Sequence, residues 1–425
     1  RIAISATPIF NGPMDIVGVC KCMGASPEFQ DEHVWSMDKQ CKTINPATTE
    51  AFRKHTDRVK DDILDLPVIH QERITFNTEL SVTDIAIYNR YVNDARNLKL
   101  SMERSGKSLP KDRQKLMHLL AQMQQILVSS RLAAMGAEHF KKHPEEVLLA
   151  AESETGSLKT LHYEIKRLQN DGHSKVIVAA NHVVIMHIAA AYLERKGSEN
   201  EADSVGKLFT YDGTCSMQKR TEERVQFMNE DKSVLFLSIG AGGTGLHLVP
   251  SNPSKREKHE FCRAMLFWGS RPFSPQQVWQ TMKRIHRIGQ RFECHVRHII
   301  AKGSVDHAIE EVHEDKSGLA SAVVDGDWSK CDETAGEWHS KGRIVDMCCP
   351  IGDDGNFIHT HRGGPIARAT PRTSGTSGTS GVDMGSNPCS PSLMMDRSVP
   401  VERKLLVKLK LPAKPVAKAK ETKET

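Results

Sequence analysis

A glutamine and two arginines recur at helical spacing in the last third of the chain. Gln280, Arg284 and Arg287 are four and three residues apart, so one helix would carry them on one face. Ser274-Pro275 ahead of them is typical of a helix start, with a capping hydroxyl and then proline. Two guanidinium groups on that face would present planar, permanently charged forks to a phosphate. The alternative is a basic helix face exposed to water, and spacing alone does not decide between them.

A glycine-rich stretch, SIGAGGTG, follows the apolar run VLFL and precedes the arginines. It contains Ser238, Gly242, Gly243 and Gly245. Glycines after a buried strand let backbone N–H groups approach an anion closely. Many tight turns have the same composition, so the evidence lies in the position of this one after a strand.

A short polar run near the N-terminus ends the strand that RIAISA predicts. It includes Ser5 and Thr7, with Pro8 and Asn11 just beyond. Such a run suits a link between a nucleotide site and a second binding surface. In isolation it is only a turn at the end of a strand.

The elements around these residues alternate between two periods. Apolar runs predict strands at 176–180, 208–209, 234–237, 264–268 and 295–300, and helices are predicted at 183–196, 216–229, 275–287 and 305–315. Buried runs that alternate with helices favour a parallel sheet covered on both faces, with ligands at the carboxyl ends of the strands. Residues 78–145 carry apolar side chains at helical spacing, and the repeat TSGTSGTSG predicts a linker without structure.

Composition indicates a globular protein with flexible parts. Of the 425 residues 38% are hydrophobic and 26% charged, and no run approaches the roughly 20 apolar residues of a membrane span. The net charge of +5 is concentrated in residues 401–425, which hold eight basic and three acidic side chains. This tail is either a solvated, disordered end or a segment that contacts phosphates, an acidic partner or the nuclear import machinery.

The ten cysteines do not predict a disulfide framework or a metal site. They are scattered and contain no CxxC pair, which indicates reduced thiols inside a cell. No spacing that zinc sites use is recognisable among Cys331, His339, Cys348, His359 and His361 in the C-terminal part. We therefore expect no metal ligands in this chain.

In their order along the chain, these motifs resemble those of Swi/Snf-type ATPases within helicase superfamily two. Ser5–Asn11 (SATPIFN) resembles motif III of the family, AGGTGL resembles motif V, and Gln280–Gln290, which ends in HRIGQ, resembles motif VI. Weaker matches are Lys175–Ala180 as the strand that opens the second lobe, and Asp212–Ser216 with Arg220. The resemblance covers residues 1–17 and about 157–317.

The resemblance implies a two-lobed, ATP-driven motor on duplex DNA, with ATP and Mg²⁺ in the cleft between RecA-like lobes. Arg284 and Arg287 would reach the ATP phosphates and act in catalysis. The other implied site residues are Gln280, Gly243 and Gly245 at the nucleotide, and Ser5, Thr7, Ser238, Gly242, Asp212 and Arg220 at the DNA or in coupling. Duplex DNA is the implied partner, with chromatin or other DNA-bound proteins beside it, and the implied location is the nucleus or a viral replication site.

Two elements of the family pattern lie upstream of motif III, namely the phosphate-binding loop GxxxxGK[ST] and the acidic box that holds Mg²⁺. The chain begins without an initial Met inside a strand, so we expect a piece of a longer protein, inactive in ATP hydrolysis by itself. Ser105–Ser108 imitates the end of such a loop, but Ser101 replaces its first glycine and no buried strand precedes it. His247 also stands where the family usually has Asn.

The expected organisation has four parts. Residues 1–77 would form the end of the first RecA-like lobe, 78–150 a helical insertion, 151–325 the second RecA-like lobe, and 326–425 a disordered basic tail. The leading hypothesis is the C-terminal half of a DNA translocase that works in remodelling or repair. The alternatives are a catalytically silent scaffold that binds DNA or protein, and an RNA-directed helicase of superfamily two.

Overall fold

The computed structural model describes residues 14–35, 46–54, 64–105, 109–242, 246–250 and 253–313, together with 317, 344–345, 348 and 350–351. Several predictions lie outside these residues: the strand at 1–6, Ser5 and Thr7, Gly243 and Gly245, the linker repeat and the basic segment 401–425. In the described part, no helix is long and apolar enough to span a bilayer.

Six parallel strands form one sheet in the order β1-β6-β5-β2-β4-β3. The strands are Ile69–Phe76 (β1), Lys175–Ala180 (β2), Lys207–Tyr211 (β3), Ser233–Ser238 (β4), Ala264–Phe267 (β5) and Cys294–Ala301 (β6). The prediction of a RecA-like parallel sheet covered by helices is confirmed. Every residue of β2 and β4 is buried, and each Val, Leu or Ile among them contributes about 1.5–3 kcal/mol by leaving water.

Thirteen labelled helices surround or precede the sheet. They are Met14–Met23 (α1), Pro27–Gln30 (α2), Pro46–Arg53 (α3), Val82–Ser105 (α4), Pro110–Ile126 (α5), Ser130–Met135 (α6), Ala137–Lys142 (α7), Glu145–Ala151 (α8), Gly156–Asn170 (α9), Val183–Glu199 (α10), Met217–Asn229 (α11), Ile239–Gly242 (α12) and Pro275–Met282 (α13). Residues 305–313 are also helical. Short 3-10 turns lie at Glu32–Trp35, Glu201–Asp203, Pro253–Lys255 and Lys258–Glu260.

The side chains of β2 alternate between two hydrophobic cores. Val176 and Val178 face the core that α9 and α10 cover, whereas Ile177 and Ala179 face the core beneath α11 and α13. This alternation is the period of two that a strand imposes on its side chains. The sheet is therefore the middle layer of three, and its apolar runs have no exposed face.

Strand β1 is an element that the sequence analysis did not predict. It forms the edge of the sheet beside β6, with Ile69 opposite Cys294, and most of its side chains are exposed. An edge strand exposed on one face shows no continuous apolar run, so IHQERITF gave no strand signal. The sheet thus includes residues that the predicted organisation groups with the first lobe.

The long helices α4 and α5 pack together and against the helix at 305–313. Tyr88, Leu120, Ile309 and Val312 belong to their shared core, which confirms the helical spacing predicted for this region. The hydroxyl of Tyr88 accepts a hydrogen bond from the backbone N–H of Val305 at 3.1 Å. The helical insertion is therefore joined to the sheet through the element that follows β6.

The N-terminal helices α1 and α2 build a small core of their own. Ile16, Val17, Phe29 and Trp35 are buried in it, and the indole N–H of Trp35 donates to the carbonyl of Phe29 at 3.0 Å. This hydrogen bond satisfies the one polar atom of a buried indole, which leaves its apolar ring free to fill the core.

Candidate nucleotide-binding edge

The predicted arginine helix is shorter than expected. Helix α13 ends at Met282, and the chain continues in tight turns in which Arg284 N–H donates to the Thr281 carbonyl and Ile285 N–H to that of Met282. The prediction of one helix over 275–287 is therefore wrong at its C-terminal end. Arg284 and Arg287 do not share a helix face with Gln280, which stays half-buried on α13.

Gln290 and Gly289 shape the turns that follow α13. The side-chain amide of Gln290, itself buried, donates to the carbonyls of Ile285 at 3.0 Å and Cys262 at 3.2 Å. Gly289 has φ +100°, and a Cβ there would lie 3.3 Å from Cγ1 of Val249. The glutamine satisfies a carbonyl that a continuing helix would use, and the glycine turns the chain away. The last residue of HRIGQ therefore holds the turn in place through these hydrogen bonds.

The two arginines nevertheless meet. Nη1 of Arg284 lies 3.4 Å from the carbonyl oxygen of Leu246, and Nη1 of Arg287 lies 3.2 Å from the same oxygen. Leu246 directly follows the glycine-rich stretch, so two segments about forty residues apart converge here. Burial, with the positive charge of Arg287, lowers the pKa of the Arg284 guanidinium. An arginine stays charged in proteins despite such a shift.

Three more arginines extend this basic edge: Arg220, Arg224 and Arg291. In the described part of the chain, their hydrogen bonds go to main-chain carbonyls, which are those of Cys215 at 3.0 Å, His247 at 3.3 Å and Pro253 at 3.0 Å, respectively. Within the described residues, none of the three, nor Arg287, forms an ion pair with a carboxylate. This edge therefore carries an excess of positive charge, which favours an anionic ligand.

The sequence analysis singled out Arg220 but missed Arg224 and Arg291. Arg224 follows Arg220 by four residues on α11, so helical spacing would have identified it as a neighbour on the same face. Arg291 comes directly after HRIGQ. His247, whose pKa is lowered by burial and by the charges of Arg287 and Arg224, adds no positive charge at neutral pH.

The other predicted site residues that the structure describes lie in different environments. Ser238 ends β4 and is buried opposite Ala180 of β2, at the carboxyl edge of the sheet. Gly242 is the last residue of α12. Ser5, Thr7, Gly243 and Gly245 lie outside the described residues.

Asp212 is buried inside the turn that leads to α11. Its carboxylate accepts hydrogen bonds from the Thr214 N–H at 2.6 Å and hydroxyl at 2.5 Å. Burial alone would raise the pKa of Asp212, but the hydrogen bonds from Thr214 outweigh burial and lower it. Asp212 therefore shapes the turn that precedes Arg220. The guanidinium of Arg220 lies over the ring of Tyr211, 5.9 Å from its centroid.

Curated proteins that are similar in sequence to this chain include proteins named as DNA repair proteins. No family model matches the chain. Over 177 residues the chain is 25% identical to a protein named DNA repair and recombination protein RAD54-like in Drosophila erecta, covering 41% of this chain and 20% of that protein. It is 30% identical over 169 residues to DNA repair protein RAD5 of Yarrowia lipolytica, covering 40% and 14%. The chain thus spans at most a fifth of the length of these relatives.

Solved structures that align with part of this chain include two ATPases. The C-terminal part of the Fun30 ATPase domain aligns with a TM-score of 0.39 at 17% identity, covering 61% of this chain and 98% of that one. The Sulfolobus solfataricus SWI2/SNF2 ATPase core in complex with dsDNA aligns with a TM-score of 0.39 at 16% identity, covering 62% and 50%. The ordered motifs and the curated relatives support a similarity of this chain to the C-terminal portion of Swi/Snf-type, superfamily-two helicase-like proteins.

Proposed function

We propose that this lobe supplies the phosphate-binding arginines of a DNA-dependent ATPase. The observation that carries the proposal is the convergence of Arg284 and Arg287 on the Leu246 carbonyl, beside the glycine-rich stretch at the carboxyl edge of the sheet. Ligands of open parallel sheets bind at this edge. Arg284 and Arg287 would neutralise the charge that develops on the transferred phosphoryl group of ATP.

The hydrogen bonding of Arg287 supports this role. A guanidinium has five N–H donors, and within the described residues one donor of Arg287 is used, by a neutral carbonyl oxygen. A doubly charged phosphate is a stronger acceptor than a carbonyl, so it would displace Leu246 as the partner of the fork. An ion pair with a carboxylate would have opposed this exchange.

The donors at this edge suit the phosphates of ATP and not its metal. Arginines and backbone N–H groups donate hydrogen bonds, and they offer no oxygen ligand to Mg²⁺. In Asp212, the nearby carboxylate, Oδ1 is engaged by Thr214, and the buried Oδ2 lies 3.6 Å from Nε2 of His187. The Mg²⁺ ligands of the proposed ATPase would then belong to a first lobe with an acidic box, as the resemblance implies.

Duplex DNA is the proposed partner, and translocation along it the proposed output. Arg220 and Arg224 on α11 have no carboxylate partner within the described residues, so they are suited to DNA phosphates. The curated relatives are named as DNA repair proteins, which supports a nuclear role in repair or remodelling. The chain spans a fifth or less of the length of these relatives. Translocation is therefore proposed for a protein that also contains a first helicase lobe.

The test joins this chain to a complete N-terminal helicase lobe and measures ATP hydrolysis. The assay is run without nucleic acid, with duplex DNA and with single-stranded RNA. We expect stimulation by duplex DNA and a loss of at least about a hundredfold in Arg287→Ala. Arg90→Ala is the control. Arg90 is an exposed arginine of α4, and it forms an ion pair with Asp94.

Each other outcome favours one alternative. Stimulation by RNA and not by duplex DNA would favour an RNA-directed helicase. A folded protein that hydrolyses no ATP under any of the three conditions would favour the scaffold. Equal loss in the Arg90 and Arg287 variants would mean that the effect of Arg287 is not specific to the nucleotide.

A further inference from the structure

Two histidines and a glutamate meet at the amino end of the sheet, away from the arginines. His70 is the second residue of β1 and His295 the second of β6, and the two are register partners in the parallel pair. Glu293 directly precedes β6. Side chains from positions more than 220 residues apart in the sequence are thus brought side by side.

Their ligand atoms are close enough to share one ion. One ligand atom from each of the three lies within 4.8 Å of the others, and Nε2 of His70 is 3.1 Å from Oε2 of Glu293. Ligands at about 2.0–2.2 Å from zinc in tetrahedral geometry are about 3.3–3.6 Å apart. Small rotations of two exposed side chains, His70 and Glu293, would therefore complete three corners of a tetrahedron.

The surroundings hold the ligands in place and leave the carboxylate available. The rings of His70 and His295 stack at 4.9 Å, and the buried ring of His173 lies against His295 at 4.6 Å. The nearby cation, Arg263, donates to the main-chain carbonyls of Gly172 and Glu293 and not to the Glu293 carboxylate. The ladder between β1 and β6 fixes the backbone beneath both histidines.

We propose that His70, Glu293 and His295 form a Zn²⁺ site that fastens the edge strand β1 to β6. Two imidazoles and one carboxylate suit a borderline cation such as zinc, whereas Mg²⁺ and Ca²⁺ prefer oxygen ligands. Three protein ligands with water at the fourth position make an open zinc site. The alternative to a metal site is an exposed hydrogen bond between His70 and Glu293, which would contribute little to stability.

The site would matter because β1 is weakly buried. Most of its side chains are exposed, and on its outer side it has no partner strand among the described residues. A metal bridge would replace burial as the means of holding this strand. It would also tie the start of the helical insertion to the lobe, since β1 leads into α4.

The first measurement is Zn²⁺ affinity of the full chain, by competition with a chromophoric chelator. We expect His70→Gln, Glu293→Gln and His295→Gln each to lower the affinity at least about tenfold. The control is the double variant His139→Gln and His143→Gln, which removes another stacked histidine pair, 4.3 Å apart, on and just after α7. This control should keep the affinity of the wild type.

A second measurement locates the effect without reference to activity. Zn²⁺ should slow amide hydrogen exchange at 69–76 in the wild type and leave it unchanged in Glu293→Gln. Glu293 is exposed, so this variant should fold even if His295→Gln does not.

Three results would overturn the proposal: no zinc binding by the wild type, wild-type affinity in all three ligand variants, or loss of binding in the histidine-pair control. A thiolate charge-transfer band with Co²⁺ that persists in Glu293→Gln would assign the metal to cysteines and overturn it as well.

Discussion

Arg284 and Arg287 share one hydrogen-bond acceptor, the carbonyl oxygen of Leu246. Two like charges this close repel each other, and a single neutral oxygen compensates them only in part. The pair is therefore prepared for an anion, which would relieve the repulsion and take up their other donors. Helix α13 ends before Arg284, and the side chain of Gln290 closes the turn that follows.

We expect Arg287→Lys to behave like a loss of function in the ATPase assay. Lysine keeps the positive charge but lacks the planar fork, so it cannot bond the carbonyl and a phosphate as a guanidinium does. The expected decrease in kcat is about tenfold or more, with an unchanged melting temperature because Arg287 is only half-buried. Full activity of the lysine variant would show that charge alone suffices at this position.

Loss of the buried ion pair between Arg297 and Glu164 should lower the free energy of unfolding more than loss of the exposed pair between Arg297 and Glu72. Arg297 bonds both Glu164 and Glu72 at 2.9 Å, but the Glu164 side chain is 3% exposed and that of Glu72 is 49% exposed. Glu164→Gln leaves a buried guanidinium undercompensated and should lower the free energy of unfolding by about 3 kcal/mol. Glu72→Gln should lower it by about 1 kcal/mol or less. Urea unfolding checks both, and equal effects would contradict the role of burial.

Two glycines with the same backbone angle provide a matched test of steric strain. Gly206 and Gly172 both have φ +83°, but a Cβ at Gly206 would lie 2.2 Å from the carbonyl oxygen of Lys232, whereas nothing lies within 4 Å at Gly172. Gly172→Ala should cost about 1–2 kcal/mol through the angle alone. Gly206→Ala should cost at least about 2 kcal/mol more, because backbone atoms must move. Thermal unfolding that ranks Gly172→Ala as the more damaging change would refute this explanation.

Asp306 should make stability depend on pH between about 4 and 6. Burial raises the pKa of this carboxyl to about 6, against the opposing effects of a hydrogen bond from Gln124 and the charge of Arg271, while Glu310 adds to the increase. In this pH range the folded chain holds a proton that the unfolded chain has released. The contribution of Asp306 to stability is therefore fully present below about pH 4 and is lost as pH rises through about 6.

Asp306→Asn isolates this effect, because asparagine keeps the shape and an oxygen acceptor for Gln124 but does not titrate. From pH 4 to pH 7 the stability of the wild type relative to this variant should fall by up to about 2–3 kcal/mol. Urea unfolding at several pH values measures the difference. A constant difference over the range would mean that the carboxyl keeps its ordinary pKa in the folded chain.

The sequence by itself determined five of the six strands of the sheet and the order of the motifs along the chain. Runs such as Val176–Ala180 and Val234–Leu237 were recognisable because strands buried on both faces are apolar at every position. The helices α10 and α11 were predicted to within three residues of their ends. The family motifs gave the position of the arginines along the chain, though not the path of the backbone between them.

Only the tertiary structure decided how distant residues meet. Strand β1 was missed because its exposed face hides the strand pattern, and with it the pairing of His70 and His295, which no sequence spacing links. Arg284 and Arg287 were expected on a helix face, but α13 ends at Met282 and the chain continues in turns, where the side chain of Gln290 bonds the Ile285 carbonyl. Local periodicity reports which face of an element is buried, whereas hydrogen bonds between elements decide where it stops and what it faces.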